Sequence, residues 1–149
     1  MRGWSGNRGG NRNSPAPAPR SAEEEGVDKL QRIREMRHFV NGEWFWDVVL
    51  VLDEEPRGFT ELLNTVRART TDDGWPGKRH RYLQESILGR TLRRLEKREL
   101  VSRQQEGVFP YRVTYRLTSP AQELVTAVEP LVEWTRRHDG LVERVRNKA

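Results

Sequence analysis

Between Arg67 and Arg103 the chain places eleven Lys and Arg against five Asp and Glu, and the chemistry open to such a run is anion capture. A guanidinium presents a planar fork of donors that fits a phosphate or the edge of a guanine. Within the run, Ser86, Arg90, Arg93 and Lys97 recur three or four residues apart, opposite the apolar set Leu83, Ile87, Leu88, Leu92 and Leu95. That spacing puts the cations on one exposed face of a helix and the leucines on the other. The 149 residues hold 27 Lys and Arg and 22 Asp and Glu, a net charge of +5. Arg2, Arg8, Arg12 and Arg20 supply four of these charges without an acid among them, so outside the tail and the basic run the body is acidic. One basic region on an otherwise acidic body is the footprint expected of a polyanion partner. An Arg-rich composition bias is the alternative, since only four of the cations are Lys.

Other chemistries find little support. There is no cysteine, which excludes disulfides, thiolate metal sites and a thiol redox switch. His38, His80 and His138 are scattered without metal-ligand spacing, and no Gly-x-Ser-x-Gly occurs. Gly77-Lys78-Arg79 is not a phosphate loop, because Asp72 stands where the first Gly belongs and Arg79 where a Ser or Thr would bind magnesium. The chain reads as a non-enzyme, with no cofactor and no metal implied. Its longest apolar run, Val48 to Leu52, is far too short for a membrane span, and the N-terminus has no secretory apolar region. The expectation is a soluble, cytoplasmic protein.

The elements that position the basic face follow from periodicity. Residues 1–21, rich in Arg, Gly and Pro, have almost nothing to bury and are expected to be a disordered tail, with a domain over 22–147. Val27, Leu30 and Ile33 mark a helix over about 22–38. Trp44 to Leu52 suits a buried helix or a strand, and Thr60 is placed to cap a short helix ending near Arg67. Residues 68–81 form a polar loop with Asp-Gly and Pro-Gly turns, followed by the basic helix over about 82–99. Strands are expected over Val101–Glu106 and Arg112–Leu117, the second alternating Val113, Tyr115 and Leu117 with polar residues. Ser119-Pro120-Ala121-Gln122 reads as a capping box starting a long terminal helix that Pro130 should kink or divide. The fold class is mainly α with a small β-hairpin wing (α+β), an order compatible with a winged helix-turn-helix.

Several motifs in this order resemble the HxlR-type winged-helix transcriptional regulators of bacteria. Gly42-Glu43-Trp44 is similar to the family's Gly-Lys-Trp, and Pro56-Arg57-Gly58-Phe59-Thr60-Glu61-Leu62 to its Pro-Arg-Arg-Phe-Ser-Glu-Leu. The likeness is clearest over Leu92–Arg103 and Pro110–Thr118, which resemble a helix end Leu-x-x-Leu-Glu-x-x-Gly-Leu-Val-x-Arg and a wing Pro-Pro-Arg-Val-x-Tyr-x-Leu-Thr. Trp134 matches a Trp of the last helix. Differences are a connection before the basic helix about ten residues longer, no N-terminal thiol, and Glu99 where the family has Gly. The resemblance implies a homodimeric, sequence-specific DNA-binding regulator, joined through its first and long C-terminal helices.

In a helix-turn-helix the second helix enters the major groove, its N-terminal half against the bases. Ser86, Gly89, Arg90 and Arg93 are then the base-side candidates, with Arg94 and Lys97 further along. Gly89 implies close approach of DNA or a packing need. The wing offers Gln104, Gln105 and Arg112 to the backbone or minor groove, although Arg112 is equally suited to a salt bridge fixing the hairpin. Arg57 and Thr60 sit where free helix amides favour a phosphate, or where Thr60 simply caps. Arg67, Arg69, Lys78, Arg79 and Arg81 either track the DNA backbone or belong to a solvated loop. Trp44, Phe45, Trp46 and Phe59 suit the core better than a ligand pocket, and Trp75 is the best placed for a contact outside it. Two rival functions are a small-molecule sequestering protein on a winged-helix body and an interaction adaptor acting through the Arg-Gly tail. The operator, the sign of regulation and any small-molecule effector are not written in the sequence.

Overall fold

A computed structural model describes residues 15–71, 73–77 and 81–149. Most of the expected tail, residues 1–14, lies outside the described residues; Pro15–Ser21 is exposed and precedes the first helix. Residues up to Met36 and residues from Arg37 onward form two units.

The first unit holds most of α1 (Ala22–Phe39). A capping box closes its start: the Glu24 amide donates to Ser21 Oγ at 3.3 Å and the Ser21 amide to Glu24 Oε2 at 2.8 Å. Glu23, Glu24 and Glu25 in the first turn and Arg37 and His38 in the last complement the helix dipole. The helix buries no residue, and Val27, Leu30, Ile33 and Met36 stay exposed.

The second unit is built on α2 (Phe45–Glu54), α3 (Phe59–Arg69), α4 (Glu85–Lys97), the hairpin β1 (Val101–Glu106) and β2 (Arg112–Leu117), then α5 (Ser119–Arg137) and α6 (Asp139–Arg146). The ambiguous run at 44–52 is a helix. It buries Phe45, Val48, Val49, Val51 and Leu52, a spacing of three and four that a strand would divide between two faces. Against it pack Leu62, Leu63 and Val66 of α3, Leu88, Leu92 and Leu95 of α4, and Leu100, Val101, Leu117 and Ala121 beyond. No described polar or charged residue is buried. The strands pair antiparallel from Val101 opposite Leu117 to Glu106 opposite Arg112, as expected. Arg57 extends the sheet by one bridge: its amide donates to Tyr115 O at 3.1 Å and the Tyr115 amide to Arg57 O at 2.8 Å.

Helix ends depart from expectation where capping was inferred from residue type. α3 starts two residues earlier than a Thr60 cap requires: Gly58 is its N-cap, and Thr60 is exposed inside the first turn. Ser119 is likewise the first residue of α5 rather than its cap; Thr118 precedes it, and the Thr118 hydroxyl donates to Glu99 O at 2.7 Å. Pro130 does not divide α5, since the helix runs through it to Arg137 and the break falls at His138. The missing proline N–H sits at an exposed position. α4 begins at Glu85, not Tyr82, because Gln84 is extended and Leu83 is buried as part of the core.

Candidate nucleic-acid interface

α4 carries the basic face. Its three buried leucines lock one side into the core, which leaves Ser86, Arg90, Arg93, Arg94 and Lys97 exposed and Gly89 half-buried. Among the described residues, none of Arg90, Arg93, Arg94 and Lys97 forms an ion pair. Their charges therefore face solvent uncompensated, which is the state expected of groups that await a polyanion. Among the described residues Gly89 has no close packing neighbour: a Cβ added there would meet Arg93 Nη1, at 4.0 Å.

α4 ends in a Schellman turn. The Leu100 amide donates to Leu95 O at 3.0 Å and the Glu99 amide to Glu96 O at 2.9 Å. Glu99 occupies the left-handed position with φ 57°, where glycine is the unstrained residue. This turn sends the chain directly into β1 and so sets the wing relative to α4.

The wing separates its three candidates. Gln104 and Arg112 lie on one face of the hairpin, together with Thr114 and Arg116, whereas Gln105 lies on the face of Val113 and Tyr115. Arg112 is exposed and makes no ion pair among the described residues, so the hairpin does not depend on it for a salt bridge. Arg103 and Arg116 are exposed wing cations of the same kind, outside the sequence-derived set.

Arg57 is placed differently. Its side chain is only 10% exposed and its guanidinium meets Glu61 at 2.7 Å, Glu55 at 3.2 Å and Glu54 at 3.4 Å. Three carboxylates more than balance its charge, so the start of α3 is a poor seat for a phosphate despite its free amides.

The cations flanking the 68–81 connection are also engaged. Arg67 Nε donates to Leu83 O at 2.9 Å, with the guanidinium 4.5 Å from the Tyr82 ring centroid. Arg69 forms a two-pronged pair with Glu54, whose carboxyl it holds below the usual range, helped by Arg57. Arg81 Nε donates to Glu43 Oε1 at 3.1 Å, its Nη2 reaches Asp47 Oδ2 at 3.2 Å, and the guanidinium lies 4.1 Å from the Trp44 ring. These three brace α2, α3 and the entry to α4. Lys78 and Arg79 lie outside the described residues. Trp44 and Phe45 are core, Trp46 and Phe59 pack on it, and Trp75 sits 5.8 Å beneath the Arg146 guanidinium of α6.

Among the described residues no cluster of His, Asp or Glu is arranged to hold a metal, and no helix is long and apolar enough to cross a membrane.

Comparison with known proteins agrees with this geometry. A family model described as an HxlR-like helix-turn-helix matches residues 78–143, which span α4, the wing, α5 and part of α6. A MarR-family transcriptional regulator from Enterococcus faecalis V583 is 25% identical, superposes with a TM-score of 0.62, and the match covers 78% of this chain and 94% of that one. Diamide-treated YodB from B. subtilis shares the fold at 22% identity and TM-score 0.54, over 71% of this chain and 91% of that one. YtfH from Salmonella typhimurium does so at 23% and 0.52, over 77% and 90%. No curated protein sequence matches. Together with the basic α4, the Schellman turn and the two-stranded wing, these similarities show a winged helix-turn-helix fold that over residues 78–143 is similar to the HxlR-like helix-turn-helix.

Proposed function

We propose that the protein is a homodimer that acts in the cytoplasm by binding a two-fold-related DNA site, each subunit laying α4 in a major groove and its wing beside it. The observation that carries this reading is the row of exposed cations on α4 without ion-pair partners among the described residues, on a helix whose other side is fixed in the core. Arg90 and Arg93 are the base readers, suited to guanine. Ser86 and Gly89 allow the helix N-terminal half to approach, while Arg94 and Lys97 meet the backbone. On the wing, Arg112 and Gln104 share the DNA-facing side, and Gln105 is a lesser contributor.

Dimerisation is supported by apolar side chains left in water. Leu131, Trp134, Leu141 and Val145 recur three, seven and four residues apart along α5 and α6, all exposed, and α1 independently exposes Val27, Leu30, Ile33 and Met36. Stripes of this regularity are the seams of helix–helix interfaces. Trp44 and Phe45 are buried in the core, which weighs against the sequestering alternative.

Selection of binding sites from a random duplex library by the full chain tests the proposal. Enrichment of an inverted repeat with half-site centres about 10 base pairs or a multiple apart is expected. A pool that stays random after selection overturns it.

A further inference from the structure

α4 carries a second row of cations beside its base-reading face. Arg90, Arg94 and Arg98 follow one another every four residues, and together they line one wall of a cleft of about 130 Å³. The opposite wall is the turn from Asn41 to Phe45 that leads into α2. The cleft is well below the roughly 300 Å³ at which drug-sized ligands begin, so it suits a small group.

Its charge is one-sided. Glu43 is the single carboxylate in the lining, and Arg81 neutralises it from outside. Arg90 and Arg94 have no ion pair among the described residues. Arg98 is held in place by neutral groups, Nη1 donating to Phe39 O at 2.9 Å and to Asn41 O at 2.8 Å. Its guanidinium is held below its ordinary pKa, by burial first and then by the Arg94 charge. Gly42, at φ 133°, lets the turn close on this wall: a Cβ there would lie 3.4 Å from Arg94 Nη1. The fold thus gathers like charges against a backbone turn without supplying the anion that would relieve them.

We propose that this cleft seats one phosphoryl group of the DNA backbone, with Arg94 and Arg98 as its ligands and Arg90 at its rim. The inference rests on the DNA-binding reading and adds Arg98 and the Gly42 turn to the interface. Guanidinium forks match phosphate oxygens in geometry and charge. The seat anchors α4 without reading sequence.

The test is binding of the full chain to a fluorescent mixed-sequence duplex of about 30 base pairs, between about 50 and 200 mM salt. Wild type, Arg94→Gln and, as a charge-matched control on α6, Arg144→Gln are compared. Arg94 is exposed and unpaired, so its variant should melt with wild type. Each phosphate contact contributes about 0.9 to the log–log salt slope, so wild type should lose about 3.5-fold more affinity per protomer than Arg94→Gln over this range. Arg144→Gln should keep the wild-type slope, and Arg94→Gln should weaken all duplexes alike. An unchanged slope in Arg94→Gln, or an equal loss in Arg144→Gln, overturns the seat. In parallel, amide shifts of Gly42 and Trp44 are followed as inorganic phosphate is added. Shifts abolished by Arg94→Gln alongside an unchanged slope would mean a free phosphate is the occupant and overturn the backbone assignment. Absence of wild-type binding to any duplex would overturn the DNA-binding reading itself and this inference with it, whereas failure of the seat alone leaves that binding intact.

Discussion

Gly89→Ala should move stability and DNA affinity in opposite directions. A glycine inside a helix costs about 1 kcal/mol relative to alanine, because its backbone loses more freedom on folding. At position 89 the described residues offer nothing in return: among them the added methyl would meet no atom closer than Arg93 Nη1 at 4.0 Å, the movable end of a long side chain. The substitution should therefore stabilise the fold by about 1 kcal/mol and raise the melting temperature by about 2 to 4 °C for a chain of this size. In the proposed complex the same methyl would intrude where α4 approaches the groove. Affinity for the selected DNA site should fall on the order of tenfold, or about 1.4 kcal/mol, similar to the loss of one base contact. Circular-dichroism melting and fluorescence anisotropy on the same preparation read both effects. A lower melting temperature would show a packing role for Gly89, and a rise without loss of affinity would show that α4 does not approach DNA there.

Other expectations follow from the same structure. Glu99→Gly should raise the melting temperature by about 2 to 4 °C and leave DNA affinity unchanged, because it relieves a left-handed residue at roughly 1 kcal/mol; no rise would mean that the Schellman turn is unstrained. Arg81→Ala should cost about 2 to 3 kcal/mol in denaturant unfolding, since it strips charge-assisted bonds from Glu43 and the half-buried Asp47 and a stacked cation from Trp44. A loss under about 0.5 kcal/mol would mark these contacts as surface pairs of little consequence. Leu131→Glu combined with Trp134→Glu should convert a sedimenting dimer into a 17.5 kDa monomer; an unchanged dimer would place the interface elsewhere.

The elements that bury a regular stripe were legible in the sequence, because three-and-four or alternating spacing of apolar residues states both the element and its buried side. The leucines of α4 and the Val113, Tyr115, Leu117 alternation of β2 are such cases. Helix ends were less legible: Ser and Thr suit several roles, so Thr118 serves Glu99 across the turn, and the true capping box stands at Ser21 and Glu24. The cations divided along the same line. Those of α4 declared their exposure by opposing the leucines, whereas Arg57, Arg69 and Arg81 could not be told from DNA-tracking residues. Some partners of Arg69 and Arg81 lie 15 to 38 residues away, a distance that no local pattern encodes. Arg98 had a signal, the four-residue rhythm of Arg90, Arg94 and Arg98, but its meaning required the Gly42 turn opposite.

In the proposed complex Arg90 and Arg93 on α4 read the DNA sequence. Fluorescence anisotropy at near-physiological salt, with the selected site against a scrambled duplex, for wild type and Arg90→Ala/Arg93→Ala, tests it most directly. The wild type should prefer its site by roughly a thousandfold or more, and the double variant should lose most of that preference while retaining weak binding to both duplexes. A double variant that keeps the wild-type preference would contradict the assignment of α4 as the reading helix.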